Sequence, residues 1–238
     1  MSGSPLHIGL IGGIGVAATV VYYQRLTRAI ADIGGKADIT IVHADVHELI
    51  RNNLADDRAA QAKVYAALIE RLKAAGADCV AITSLGGHFC YDETEQISAL
   101  PMVSAVSPLD AYFVSQGIKT VGLLGTRVVM KTHLYGQLEQ TKAVVLNNEI
   151  DELGQTYQDM AVAGQCSDAQ RETFINAGKR MVRDHGADAI VLAGTDLNLA
   201  FDGSDVDYKV IDALDVHVDV LARLATGRAT LKSIGVLS

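Results

Sequence analysis

Short apolar runs alternate along the chain with longer segments of helical periodicity. The runs are rich in β-branched residues and predict strands at 7–11, 38–44, 79–83, 102–105, 120–124, 143–146, 189–192 and 209–211. Amphipathic segments such as 57–75 and 168–185 predict helices between them. Strands that are apolar throughout and alternate with helices are typical of βαβ units, so the pattern predicts an α/β fold with parallel sheets.

The order of these signals repeats in the second half of the chain. HIGLIGG around Gly9 is echoed by TVGLLGT around Gly122, and GADCVAITS from Gly76 by GADAIVLAG from Gly186. LPMVSAVSP is echoed more weakly by DYKVIDALD. The repeat predicts two pseudo-symmetric lobes, each a parallel sheet flanked by helices, with the site in the interlobe cleft. The first lobe would hold 1–106 plus 212–238, and the second 107–211.

Composition excludes several classes of protein. The 238 residues are 49% hydrophobic and carry a net charge of −8, which disfavours a nucleic acid partner. The three cysteines share no spacing that indicates a disulfide framework or a zinc site. The apolar start lacks basic residues and predicts a first strand and not a signal peptide. No apolar run approaches the roughly 20 residues that span a bilayer, so we expect a cytoplasmic protein without membrane contact.

A glycine-rich loop follows the first predicted strand. Its residues Gly13, Ile14 and Gly15 precede a helix, whose N-terminus favours a bound anion such as a substrate carboxylate. The same loop, with Ala18, matches a dinucleotide-binding fingerprint, which is the alternative interpretation. A dinucleotide-binding site requires an acidic residue about 20 positions after the glycine loop, whereas Asp45 lies 30 residues after Gly15. The second half of the chain also lacks the glycine pattern.

Polar residues follow the strands at 79–83 and 189–192. In open parallel sheets ligands bind beyond the carboxyl ends of strands, so these loops are candidate sites. Ser84 and Gly194 hold matching positions, each eight residues after the glycine that opens its repeat. Thr83, Ser84 and Thr195 supply hydroxyl groups. Helix N-capping and substrate contact both explain the hydroxyls of Ser84 and Thr195.

These segments resemble the aspartate/glutamate racemase superfamily, and within it the aspartate racemase branch, over nearly the whole chain. The similar stretches are GLIGGIG with the tyrosines that follow it, VGLLGTRVVMKTHLY, GADAIVLAGTDL and VIDALDVHVDVLA. They contain Tyr22, Tyr23, Thr126, Met130, Tyr135 and His217. The resemblance implies a cofactor-independent isomerase in which one lobe removes the α-proton of an amino acid with a thiolate. A thiol of the other lobe then returns a proton from the opposite face. It also implies a homodimer.

The chain departs from this pattern where the relatives carry their two thiols. It has Ser84 at the first position and Gly194 at the second. Its own cysteines lie elsewhere: Cys79 falls in a predicted core strand, and Cys90 and Cys166 have no visible partner.

Two titratable side chains in the matching loops could replace the thiols. Our hypothesis is that Asp196 and His88 are the acid and base and that Ser84 and Thr195 hold the substrate carboxylate. Arg51 is a candidate partner for a second carboxylate, because arginine binds carboxylates bidentately, and Thr126 is a candidate polar contact. With the resemblance, Gly13, Ile14, Gly15, Thr83 and Met130 complete the predicted substrate contacts.

The sequence therefore predicts an enzyme that acts α to a carboxylate on a small amino acid or dicarboxylate such as aspartate or glutamate. Racemisation is the reaction that the resemblance implies, with no cofactor and no metal. A one-sided lyase or decarboxylase on a similar substrate is an alternative, and a non-catalytic carboxylate-binding protein is another.

Overall fold

The computed structural model describes residues 3–13 and 15–237, and it divides into two compact units. The first unit contains the described residues up to Gly13, then Thr19–Ala105, and those from His217 onward. The second contains Gly15–Ala18 and Val106–Val216. Compared with the predicted lobes, the chain changes unit one residue earlier at the first division and five residues later at the second. The grouping of residues 15–18 with the second unit was not predicted.

The first unit is built on a parallel sheet. Its strands are β1 (Ile8–Gly12), β2 (Ile39–His43) and β3 (Cys79–Ile82). They lie in the order β2-β1-β3, with Gly9 paired to Thr40 on one side and to Val80 on the other. The helices that begin in this part of the chain are α1 (Val16–Asp32), α2 (Val46–Leu54), α3 (Arg58–Ala74) and α4 (Tyr91–Ile97). The central strand β1 is buried at every residue, as its sequence IGLIG requires.

The second unit repeats this plan. Its strands are β4 (Thr120–Gly125), β5 (Lys142–Val144), β6 (Ala189–Ala193) and β7 (Val210–Asp212), parallel and in the order β5-β4-β6-β7. Its helices are α5 (Leu109–Ser115), α6 (Arg127–Lys131), α7 (Ile150–Ala163), α8 (Asp168–His185) and α9 (Asn198–Phe201). Helix α10 (Ala213–Ala225) begins here, and from His217 onward it groups with the first unit. The predicted pair of similar parallel-sheet lobes is confirmed.

The strand predicted at 102–105 is reduced to a single bridge between Val80 and Met102. Two backbone hydrogen bonds surround it, from Val80 N–H to the Pro101 carbonyl and from Val103 N–H to the Val80 carbonyl. The ladder stops there because the next available donor, the N–H of Ala105, donates to the ring of His88 instead.

The repeated glycines at the middle of the two central strands are explained by packing. A Cβ on Gly9 would lie 3.0 Å from Cδ1 of Leu72 on α3. A Cβ on Gly122 would lie 3.1 Å from Cβ of Met181 on α8. In each unit a helix therefore packs so closely on the central strand that a side chain would force it away.

Helix α8 covers the predicted span 168–185 without any shift. Ser167 accepts a hydrogen bond from Gln170 N–H, and the Gln170 side chain accepts one from Ser167 N–H, so its start is a capping box. Gly186, with φ of +68°, ends it in the left-handed conformation that glycine adopts most easily. No described helix has both the length and the apolar character that a membrane crossing requires.

Candidate functional site

Asp196 lies just beyond the carboxyl end of β6, in a 3-10 turn formed by Thr195–Leu197. Its side chain is 1% exposed. Oδ2 accepts a hydrogen bond of 3.0 Å from the hydroxyl of Tyr157 on α7, and Oδ1 accepts one of 3.2 Å from the backbone N–H of Ala18 in the first turn of α1. The carboxylate is thus enclosed and oriented by two donors.

The environment of Asp196 places its pKa close to neutrality. Burial raises the pKa from its usual value to about 6, and the hydrogen bonds from Tyr157 and Ala18 partly oppose this rise by favouring the charged form. Burial and the nearby Asp196 charge raise the pKa of Tyr157 well above its ordinary value, so the phenol keeps its proton and is the donor. A carboxyl group with a pKa near 6 can accept and return a proton at physiological pH.

Gly194, predicted to hold the position of the second thiol, is covered by the ring of Tyr157. A Cβ on Gly194 would lie 2.5 Å from Cε2 and 3.1 Å from the hydroxyl oxygen of this tyrosine. No side chain fits at position 194 while the ring is in place. Sequence reasoning missed Tyr157, because it lies in the middle of α7 and belongs, in sequence, to no strand-end loop and no recognised motif.

Gly15 and Gly13 of the glycine loop each have close neighbours. A Cβ on Gly15 would lie 2.7 Å from Oδ2 of Asp196, and its φ of +147° also favours glycine. The N–H of Gly13 donates to Thr19 Oγ1 over 2.9 Å, and Thr19 Oγ1 lies 3.4 Å from the Thr83 hydroxyl. Since Asp196 takes the Ala18 donor at the start of α1, the protein fills part of this helix terminus with its own carboxylate. Ile14 lies outside the described residues.

The hydroxyl groups of the strand-end loops interact with groups of the protein itself. Thr83 donates to the Ile11 carbonyl over 3.0 Å, and Ser84 Oγ accepts from Gly87 N–H over 3.2 Å. The Thr195 side chain lies close enough to Tyr157 to lower the pKa of its phenol. Ser84 thus accepts within its own turn, just before the 3-10 helix Gly86–Cys90, whose N-cap residue is Leu85. Substrate contact by Ser84 or Thr195 stays a prediction.

His88 is buried, and backbone groups engage both of its ring nitrogens. Nδ1 donates to the Ser84 carbonyl over 2.7 Å, and Nε2 accepts from Ala105 N–H over 3.0 Å. The ring also stacks on Tyr91, with the centroids 5.3 Å apart. Burial lowers the pKa of His88 to about 4, and the bond to Ser84 opposes this in part. The ring is consequently neutral at pH 7 and ties the Ser84 loop to the segment that follows Met102.

The remaining predicted contacts differ in their surroundings. Thr126 caps α6 by accepting from Val129 N–H, and Met130 is buried. Arg51 is exposed and pairs with Glu48 over 3.1 Å. These residues stay predicted substrate contacts, and the interlobe position of the site stays a prediction as well.

The environments of the three cysteine thiols do not favour a role as a base. Burial raises the pKa of Cys79 to about 12 and that of Cys90 to about 11, and it also raises the pKa of Cys166. Such thiols are protonated at neutral pH and are poor bases. Among residues 3–13 and 15–237, no three His, Cys, Asp or Glu side chains lie together in a way that would hold a metal ion.

A cavity of about 430 Å³ in the second unit is lined by residues other than the predicted site residues. It lies between the segment after β5 and the end of α8. Its charged groups are already paired, because both terminal nitrogens of Arg180 bind the Glu149 carboxylate at 2.5 and 2.6 Å. The Asp196 environment therefore remains the best candidate for chemistry.

The chain is similar to known proteins over nearly its whole length. The sequence pattern of the Asp/Glu/Hydantoin racemase family matches residues 11–221. A similar solved structure is that of an Asp/Glu racemase candidate from Yersinia pestis, which is 24% identical with a TM-score of 0.77, over 92% of this chain and 98% of that one. Another is an aspartate racemase homologue from Pyrococcus horikoshii OT3, with 24% identity, a TM-score of 0.74 and coverage of 94% and 99%.

An aspartate racemase from Picrophilus torridus is also similar, at 19% identity and a TM-score of 0.72, with coverage of 97% and 99% of the two chains. The structural similarity extends over nearly all of each chain. At these identities it establishes a shared two-lobe fold.

Proposed function

Because the chain belongs to the Asp/Glu/Hydantoin racemase family, we propose that it is a cofactor-independent racemase-like isomerase that uses Asp196 in place of a thiol. Its substrate would be a small amino acid or dicarboxylate, such as aspartate or glutamate, with the reaction at the carbon α to a carboxylate. The observation that carries the proposal is the buried Asp196 carboxyl at the end of β6, with a pKa of about 6 and two fixed donors.

The proposed step is a proton transfer between the substrate and Asp196. The Asp196 carboxylate takes the α-proton, the bond between Cα and hydrogen breaks, and its electron pair delocalises into the substrate carboxylate. A proton returned to the same face would restore the original configuration. For racemisation we therefore propose that a water molecule protonates the opposite face of Cα, while the Asp196 carboxylic acid loses its proton to solvent; in the reverse direction Asp196 protonates Cα and water takes the proton. With a pKa near 6 both directions are accessible at neutral pH, which is the condition that general acid–base catalysis requires.

Other residues would bind and position the substrate. The Ser84 hydroxyl accepts one hydrogen bond and keeps its own proton to donate to a substrate carboxylate. Arg51 is proposed to bind a second carboxylate, and Thr126 and Met130 to contact the substrate. For His88 the two backbone hydrogen bonds favour a positioning role over proton transfer, because neither ring nitrogen is available without breaking one of them.

The experiment is hydrogen exchange in deuterated water. L- and D-aspartate and L- and D-glutamate are incubated with the protein, and loss of the α-hydrogen signal is followed by NMR. We expect exchange with inversion of configuration, and Asp196→Asn should slow it at least about 100-fold, the usual contribution of a general base.

The matched control is Asp188→Asn, which makes the same substitution at an exposed carboxylate that accepts from Lys119 and Thr120 N–H. It should exchange at the wild-type rate. A thermal melt confirms that both variants fold. Undiminished exchange in folded Asp196→Asn would overturn the role of Asp196, and absence of exchange with all four substrates in the wild type would overturn the proposed function.

A further inference from the structure

Tyr157 combines a packing role at Gly194 with a polar role at Asp196. Its ring lies over the glycine so closely that a Cβ there would approach Cε2 to 2.5 Å. Its hydroxyl donates a hydrogen bond of 3.0 Å to Oδ2 of Asp196. One side chain therefore covers the end of β6 and reaches the group that follows it.

The position of Tyr157 is firmly determined by α7. One turn earlier on this helix, Gly154 packs directly against the Arg127 side chain, where a Cβ would collide with Cγ. Arg127 in turn donates to Gln155 Oε1 over 2.6 Å and to Gln158 Oε1 over 3.3 Å, on either side of Tyr157. The helix is thus held on both sides of the tyrosine, and the ring is buried.

Four influences determine the pKa of the Asp196 carboxyl group. Burial raises it, and three hydrogen bonds lower it: those from the Tyr157 hydroxyl on α7, the Ala18 N–H on α1 and the Asp196 backbone N–H. No charged side chain of the described residues is among them. The phenol is consequently the one side-chain donor in this set.

We infer that Tyr157 is a positioning residue for Asp196, holding its carboxylate in one orientation and favouring its charged form. The inference rests on the proposed function in taking Asp196 as the proton carrier. The glycine at position 194 is part of the same arrangement, since it provides the volume that the phenol ring occupies. The substitution Gly194→Ala should therefore disturb Asp196 through the tyrosine, although alanine has no polar group.

The test is the titration of Asp196 in Tyr157→Phe. Aspartate labelled with ¹³C at the carboxyl carbon is incorporated into the full-length protein, and the Asp196 signal is assigned by its absence in Asp196→Asn. Because a donor to the charged form lowers a carboxyl pKa, its removal should raise the titration midpoint by about one pH unit. Gly194→Ala should also raise the titration midpoint of Asp196.

Tyr208→Phe is the matched control, because it removes a hydroxyl that donates to the Ile175 carbonyl in the same unit. Its Asp196 midpoint should equal that of the wild type. Equal midpoints in wild type and folded Tyr157→Phe would overturn the inference.

Substrate exchange provides a separate readout. In Tyr157→Phe the acidic limb of the pH–rate profile should move upward with the titration midpoint. If the midpoint moves but no protein exchanges any substrate, the proposed function fails and the positioning role stands. If exchange occurs and neither the midpoint nor the acidic limb moves, the positioning role fails and the function stands.

Discussion

Replacing His88 by Gln should reduce the pH dependence of the free energy of unfolding. In the folded protein the ring is neutral and its Nε2 accepts from Ala105 N–H. Protonation would place two N–H donors against each other across 3.0 Å in a buried site. The folded state therefore resists a proton that the unfolded chain accepts readily, and acid should destabilise the protein through this residue.

The magnitude follows from the two pKa values. Burial lowers the pKa of His88 from 6.5 to about 4 in the folded state. Its stabilising contribution is thus fully present above pH 6.5 and is lost as the pH falls toward 4. Between pH 7 and pH 5 the loss amounts to about 2 kcal/mol. Asp196 and His217 are present in both proteins, with burial raising the pKa of Asp196 to about 6 and lowering that of His217 to about 3. The charge of His88 also lowers the pKa of His217, but this coupling acts mainly below pH 5, where His88 is protonated in the folded state.

Urea unfolding at pH 7 and pH 5 measures this difference. Wild type should lose about 2 kcal/mol more than His88→Gln over this interval. The exposed His47 is a matched control on the surface of the same unit, and His47→Gln should retain the wild-type pH dependence. If His88→Gln loses as much stability as the wild type, the buried neutral ring is not the source of the acid sensitivity.

Two further outcomes follow from local geometry. Gly15→Ala should impair α-hydrogen exchange more than tenfold, because the new Cβ would lie 2.7 Å from Oδ2 of Asp196, and a wild-type exchange rate would show that the loop has room to spare. Ser167→Ala should lower the free energy of unfolding by about 1 kcal/mol, since it removes the cap of α8. Urea unfolding measures that loss, and an unchanged midpoint would mean that the capping box contributes little.

Much of the fold could be predicted because it depends on patterns that are local in sequence. The apolar runs mark the strands, and the echo of Gly9 in Gly122 reports the same close helix–strand packing in both units. The strand predicted at 102–105 could not be excluded in this way. Its ladder ends because Ala105 donates to His88, a contact across 17 residues that no local pattern reveals.

The candidate site was only partly predictable for the same reason. Asp196 follows a recognisable strand, so its position at a carboxyl end could be inferred. Tyr157 lies 39 residues earlier on an ordinary amphipathic helix, and only the folded chain brings it to Asp196 and Gly194. His88 was chosen for its ability to titrate, but burial and two backbone partners hold it neutral. The sequence shows that a histidine is present, but not that the folded chain buries its ring.

The grouping of residues 15–18 with the second unit affects how this protein can be dissected genetically. A gene fragment encoding 106–216 contains every strand of the second sheet but omits Ala18, whose N–H holds Oδ1 of Asp196. Such a fragment would leave a buried acceptor without its donor. A circular permutant that keeps both stretches in one polypeptide would retain it.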